Sequence, residues 1–383
     1  NKKKIDLIKK NQSPINTIKN ERIRLLNKRN LHSLKNINLL TKCDVIIICL
    51  PTPLKKNLKP DNKYLIECIK TIFPYLRKNQ ILILESTVHP LATQKIFGNK
   101  ISKKFDIGKN FFLCFSPERI SPGQHEGRHA YLNITKLISG RTKNCVKLIN
   151  YLYGKIFKKL HECASIEIAE FSKLYENSYR SINIGFANQM KIIADKLNMN
   201  IFDIIKASST KPFGFTKFNP GPGVGGHCIP LDPMFISYAA KKLRINSDFI
   251  HLARRVNFEV TNWIIDKIKK NTKKKEKILL LGVAYKKNID DDRESPAQSI
   301  YEKLRKTHRV KFYDPYIKKL KIKKKTYKSL ETLNYQNLKN FDSVIITTDH
   351  DFFNYQKIFK FSKKIFDTRG VFREKKDLKI ISC

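Results

Sequence analysis

The run Asp44-Val45-Ile46-Ile47-Ile48-Cys49-Leu50, closed by Pro51-Thr52-Pro53, decides the fold class. Its apolar core, Val45 to Leu50, is the longest purely apolar run in the chain. Six residues fall far short of the roughly 20 needed to cross a bilayer. A short run of β-branched residues stopped by proline reads as a strand buried on both faces, as in a parallel sheet. Gln80 to Leu84 follows suit and passes into Glu85-Ser86-Thr87-Val88. Phe111 to Phe115 does so again, passing into Ser116-Pro117-Glu118-Arg119. Tyr64 to Leu76, between the first two runs, has helical period. Strands alternating with helices predict a parallel sheet with helices on its faces. Such sheets bind ligands just past the carboxyl ends of their strands, so Thr52, Thr87 and Glu118 point to one crevice.

The pattern returns later in the chain. A Lys-rich linker, Asn271 to Lys277, leads into Ile278 to Leu281 and then Gly282-Val283-Ala284-Tyr285-Lys286. Val310 to Tyr313, Ser343 to Thr347 and Lys364 to Phe366 are the further strands of this second α/β part. Between the two parts, Ser165 to about Leu197 and Phe249 to Lys270 read as long helices. The expected architecture is α/β, two doubly wound domains joined by a central helical region. Residues 1–164, 165–270 and 271–383 are the expected boundaries. Glu167, Glu170, Lys173 and Asn177 share one helical face. A polar face is usually a solvated stripe; the alternative presents Lys173 and Asn177 to a site. The helix carrying Trp263 suits a dimer or inter-domain contact, or a plain core.

Four of the 14 glycines and four of the 15 prolines fall within Phe218 to Pro233, which holds Gly225-Gly226-His227-Cys228 and Asp232. Glycine allows positive φ and close approach, and proline stiffens a loop that has no ladder of its own. A reachable thiol there can serve as a nucleophile. A tight turn with an incidental cysteine explains the same residues.

Charge and cysteine usage narrow the function classes. The net charge is +44, from 77 basic and 33 acidic residues. The lysines are scattered rather than clustered, which argues against nucleic acid and leaves a polyanionic small ligand. Eight cysteines occur without a Cys-x-x-Cys pair. They read as reduced thiols, with neither a disulfide frame nor a metal site. No signal-peptide pattern opens the sequence, so the expectation is a cytoplasmic protein without a membrane partner.

In chain order, these stretches resemble the UDP-glucose/GDP-mannose dehydrogenase family of nucleotide-sugar 6-dehydrogenases. The likeness rests on Cys49-Leu50-Pro51-Thr52-Pro53, Glu85-Ser86-Thr87-Val88, Ser116-Pro117-Glu118-Arg119 and Lys173-Leu174-Tyr175-Glu176-Asn177. It continues through Gly225 to Asp232 and through Tyr285-Lys286-Lys287-Asn288 to Arg293-Glu294-Ser295-Pro296. The resemblance implies two Rossmann-like domains and oxidation of a sugar CH2OH to a carboxylate, with NAD as cofactor and a UDP-sugar as substrate. It makes Cys228 the nucleophile, which holds the intermediate as a thioester. Lys173 and Asn177 become the oxyanion pair, and Asp232 a carboxylate acting through water. Glu118 would assist thioester hydrolysis, and Thr87 would order water. By the same likeness Pro51, Thr52, Thr87 and Arg293 lie along the cofactor. Glu118, Arg119, Lys173, Asn177, Gly225 and Lys286 lie along the substrate.

Ser116 to Gly123 and His227 to Pro233 look like the N-acetylhexosamine branch. UDP-N-acetylglucosamine is the expected substrate, in surface polysaccharide precursor synthesis, with UDP-N-acetylmannosamine or UDP-glucose as alternatives. A homodimer or higher homo-oligomer is expected. The family opens with a strand, a Gly-x-Gly-x-x-Gly turn and a helix that carry the NAD pyrophosphate. This sequence opens where the family's next helix lies, so the first domain is expected to be truncated. The chain would then bind NAD poorly and tend to aggregate; the competing reading is an inactive nucleotide-sugar-binding remnant. Gln124 to Asn133 departs from the family's course.

Overall fold

The computed structural model describes residues 2–14, 18–28, 37–120 and 133–383. Most of Gln124 to Asn133, and the Ser121-Pro122-Gly123 part of the branch motif, lie outside those residues. Two compact units form, Asn1–Leu174 and Tyr175–Cys383.

The first unit holds a five-stranded sheet: β1 (Val45–Ile48), β2 (Ile81–Leu84), β3 (Phe112–Phe115), β4 (Lys136–Gly140) and β5 (Leu160–Glu162), in that spatial order. β1, β2 and β3 run parallel, as their continuous apolar sequences predict. Leu82, Leu84, Leu113 and Phe115 are fully enclosed. Each such side chain contributes about 1.5–3 kcal/mol by leaving water. Helix Lys63–Ile72 buries Leu65, Ile69 and Ile72, the i, i+4, i+7 stripe that packs it on this core. Two expectations need correction. β1 is not buried on both faces: it is the outermost strand of the described sheet, and Ile47 is 48% exposed. β4, unread in the sequence because a lysine opens it, lies antiparallel to β3 and parallel to β5.

In the second unit a sheet is built from β6 (Lys277–Leu281), β7 (Arg309–Tyr313), β10 (Ser343–Ile346), β11 (Ile365–Asp367) and β12 (Ile380–Ser382). The spatial order is β12-β11-β10-β6-β7 and every pairing is parallel, which is a doubly wound arrangement. Its order reverses at β6, so the switch point lies between β6 and β10, where such sheets bind ligands. A hairpin of β8 (Lys319–Ile322) and β9 (Lys325–Lys328) packs Leu320 and Ile322 into the core beneath Tyr301. Helix Ile166–Lys196 runs from the first unit into the second, and helix Asp248–Lys270 packs on its second half. The contact is close at Gly185, where an added Cβ would stand 3.3 Å from the Ala253 backbone. Among the described residues, no helix is long and apolar enough to cross a membrane, and no His/Cys/Asp/Glu group could hold a metal.

Candidate active site

The glycine- and proline-rich stretch hangs from the two long helices. Asn188 accepts from the Gly221 N–H at 2.9 Å and donates to Asn257 Oδ1 at 2.9 Å. Asn257 in turn donates to the Ser181 carbonyl at 3.0 Å, and Thr261 donates to the Pro222 carbonyl at 2.6 Å. These buried polar groups satisfy backbone that has no ladder. At the far end the Gly226 N–H donates to the Arg293 carbonyl at 2.8 Å. Gly226 sits at φ +78°, and a Cβ there would meet the Tyr285 ring at 2.7 Å. At Gly225 a Cβ would meet the Glu294 carbonyl at 2.8 Å. Only glycine fits this approach.

Cys228 does not sit in the loop, as the sequence suggests, but opens helix Cys228–Lys242. Pro230 lies among the first four residues, whose N–H groups have no intrahelical partner, so the helix tolerates it. The Cys228 side chain is exposed, at a helix start, where negative charge on sulfur is favoured. Asp232, one turn on, is fully buried and accepts from Asn177 Nδ2 at 2.6 Å. The structure thus brings Asn177, Asp232 and the first turn of the Cys228 helix together within the second unit. Tyr285 and Lys286 follow β6 at the switch point. Burial, Arg180 and Lys287 pull the Lys286 ammonium below its ordinary pKa, a setting that suits a bound anion. Arg293 pairs in bidentate fashion with Asp291 at 2.6–3.0 Å, which raises its pKa further.

In the first unit, the loops after the parallel strands are tied to one another. The Thr52 hydroxyl donates to the Thr87 carbonyl at 2.6 Å, and the Leu50 N–H to Ser86 at 2.7 Å. Hydroxyl and main-chain groups on the carboxyl edge of a parallel sheet lie where such sheets take up ligands, and Pro51, Thr52 and Thr87 could hold a dinucleotide there. Arg119 donates to the Thr135 carbonyl at 2.9 Å. The Lys173 ammonium donates to the Glu118 carbonyl.

The polar face of the long helix is buried from Glu170 onward, while Glu167 stays partly exposed. Glu170 is 1% exposed and Lys173 and Asn177 are each 8% exposed. Glu170 accepts from Leu91 N–H at 2.6 Å and from the Thr93 N–H and hydroxyl at 2.8 and 2.6 Å. It thereby anchors the turn that follows Thr87. Burial pushes its pKa up to about 7, against those three donors. Sequence reading missed this anchor, because a charged residue every third or fourth position looks like a wet surface. It also missed Lys136, a buried lysine between Glu85 and Glu118 at 3.0 and 3.1 Å, whose only signal was a lone charge opening an apolar run. Cys49, read as lying in apolar surroundings, stands past the end of β1 and is exposed. Partial burial of its thiol and Glu85 beside it push its pKa up to about 11. All eight cysteines are free thiols.

A doubly wound sheet in the same unit as an exposed thiol, a buried carboxylate and an amide is a frame for nucleotide binding beside a nucleophile. Residues 1–157 match the NAD binding domain of the UDP-glucose/GDP-mannose dehydrogenase family, 167–259 its central domain and 279–374 its UDP binding domain. The chain is 32% identical to the UDP-N-acetyl-D-mannosamine dehydrogenase of Methanococcus vannielii, over 88% of this chain and 79% of that protein. It is 32% identical to the UDP-N-acetyl-D-glucosamine 6-dehydrogenase of Pseudomonas aeruginosa, over 74% of this chain and 68% of that protein. The solved UDP-D-ManNAc dehydrogenase of Pyrococcus horikoshii superposes with a TM-score of 0.81 at 28% identity, covering 95% of this chain and 87% of that one. The chain belongs to the UDP-glucose/GDP-mannose dehydrogenase family. It is a nucleotide-sugar dehydrogenase with NAD as its cofactor.

Proposed function

We propose that the protein oxidises the C6 alcohol of a UDP-N-acetylhexosamine to the uronate through a thioester on Cys228. The observation that carries this is the exposed Cys228 thiol at a helix start, one turn from a buried Asp232 held by Asn177. NAD, when bound, accepts the hydrides. Asp232, working through water, takes the alcohol proton in the first oxidation, and Cys228 then adds to the aldehyde. Lys173 and Asn177, one helical turn apart, stabilise the negative oxygen that each oxidation passes through. Glu118 assists hydrolysis of the thioester, with Thr87 ordering water. Lys286, Gly225 and Arg119 contact the substrate, and Arg293 lies along the dinucleotide. Residues 1–164, 165–270 and 271–383 then act as cofactor, central and UDP-sugar parts. Exposed Phe249, Leu252 and Phe258 on helix Asp248–Lys270 support a homodimer.

The two branch motifs favour an N-acetylhexosamine over glucose, with N-acetylglucosamine the expected sugar, whereas relatives such as the M. vannielii protein carry the mannosamine name. We take UDP-N-acetylmannosamine as the first substrate to test and UDP-N-acetylglucosamine as the second. A panel of UDP-sugars assayed with NAD decides between them. Two NADH per acid, with an N-acetylhexosamine preferred, is the expected result. Preference for UDP-glucose would sink the substrate reading, and release of free aldehyde would sink the thioester.

A further inference from the structure

Lys136 opens β4 and is 4% exposed, yet it carries a charge. Its ammonium pairs with Glu85 Oε1 at 3.0 Å and Glu118 Oε2 at 3.1 Å. The rings of Tyr153 and Phe157 cover it, with centroids at 5.8 and 5.4 Å. Burying an ammonium carries a penalty of several kcal/mol unless its partners are well placed. The fold meets that need with two carboxylates, each fixed in turn. Glu85 accepts from the Tyr153 hydroxyl at 2.7 Å and from the Cys49 thiol at 3.7 Å. Glu118 Oε1 accepts from the Ile120 N–H at 2.7 Å. Each carboxylate oxygen has a second lone pair, so Glu118 keeps acceptor capacity for water while its orientation is set. The Glu118 side chain is 41% exposed, so water reaches it. Its carbonyl receives Lys173, which places the Lys136 pair and the oxyanion lysine on the same residue.

We propose that Lys136 is the positioning residue for Glu118 in thioester hydrolysis, an inference that rests on the thioester reading above. In that step a water oxygen bonds to the acyl carbon while its proton passes to the Glu118 carboxylate. The carbon–sulfur bond then breaks, Cys228 leaves as thiolate, and the sugar acid is released; nothing is oxidised or reduced. Lys136 acts through the Glu118 carboxylate, whose Oε2 it holds at 3.1 Å. Glu85, buttressed by Tyr153, holds Lys136.

Lys136→Met, Lys136→Arg and Glu118→Gln proteins, mixed with NAD and UDP-N-acetylmannosamine or UDP-N-acetylglucosamine and quenched at intervals, test this by NADH yield and intact mass. Lys136→Met is expected to retain first-turnover NADH formation and KM, and to accumulate the acyl adduct on Cys228. Its steady-state kcat should fall about 100-fold, the scale of an ångström-level misplacement. Lys136→Arg should recover most of the loss, because the guanidinium reaches both carboxylates. If Lys136→Met does not fold, Glu85→Gln with Lys136→Met removes one buried charge and keeps the readout. Wild-type hydrolysis without adduct in Lys136→Met, while Glu118→Gln accumulates adduct, overturns the proposal. Equal loss of binding, both oxidations and thermal stability overturns it too, since that is a purely structural lysine. Wild-type turnover by Glu118→Gln overturns the thioester role of Glu118, and the proposal falls with it.

Discussion

Replacing Asn188 with Ala tests whether two buried amides hold the catalytic stretch in place. Asn188 is fully buried, and its side chain makes one bond to the Gly221 N–H and one to Asn257 Oδ1, both at 2.9 Å. Alanine removes both and leaves a buried main-chain N–H and a buried amide oxygen without those partners. Each such group costs about 1–3 kcal/mol, so the pair destabilises the second unit by roughly 2–4 kcal/mol after partial relaxation. For a unit of this size that lowers Tm by about 5–15 °C. The loop should also loosen upstream of Cys228, where Gly223 stands at φ +127° against Thr261. Hence kcat should fall by about 10- to 100-fold even below the transition, because catalytic geometry tolerates little displacement. Differential scanning fluorimetry and initial rates measure the two effects. Asn188→Asp, which keeps the acceptor for Gly221, should fall less far in rate than in stability. An Asn188→Ala protein with unchanged Tm and unchanged kcat would falsify the anchoring argument.

Three further outcomes follow from particular residues. Cys228→Ser should bind UDP-sugar and form almost no acid, since a hydroxyl without a dedicated base is a far weaker nucleophile; acid production at the wild-type rate contradicts the assignment. Lys173→Ala should slow both oxidations by about 100- to 1000-fold, the usual loss for one oxyanion donor, measured by stopped-flow NADH formation. An effect on one oxidation alone would remove Lys173 from that role. Glu170 has a folded pKa of about 7, above its ordinary 4.5, because burial penalises the carboxylate. The stability it contributes is therefore fully present below its unfolded value and is lost as pH rises through about 7. Melting temperatures between about pH 5 and about pH 8 should fall in the wild type relative to Glu170→Gln; parallel profiles count against a buried, titrating Glu170.

Much of the fold was legible because its signals are local. Runs such as Val45 to Ile48 and Ile278 to Leu281 are apolar throughout and bounded by turn residues, the pattern of a parallel-sheet strand, although only the second is covered on both faces. The stops after them, Pro51-Thr52-Pro53 and Gly282-Val283-Ala284, marked the carboxyl edges of the two sheets. The dense glycines and prolines before Cys228 marked a close-packed turn, and the structure shows Tyr285 and Glu294 as what it packs against. These features were open to reading because propensity, burial pattern and turn chemistry agree within a few residues.

What the chain could not reveal residue by residue depends on partners far away in it. Whether Glu170, Lys173 and Asn177 faced water or protein was undetermined by their spacing, since a polar stripe serves either. Asn177 found its partner, Asp232, 55 positions away, and Glu170 found Thr93 77 positions away. Lys136 looked like one lysine among many in a chain of charge +44. Only the antiparallel docking of β4 on β3 brought it to Glu85 and Glu118. The sequence alone determined the apolar strands and long helices with strong local signals, but not β4 or the helix that Cys228 opens. Tertiary structure decided which charges are buried, because the penalty for burying a charge is offset only by groups that folding brings together.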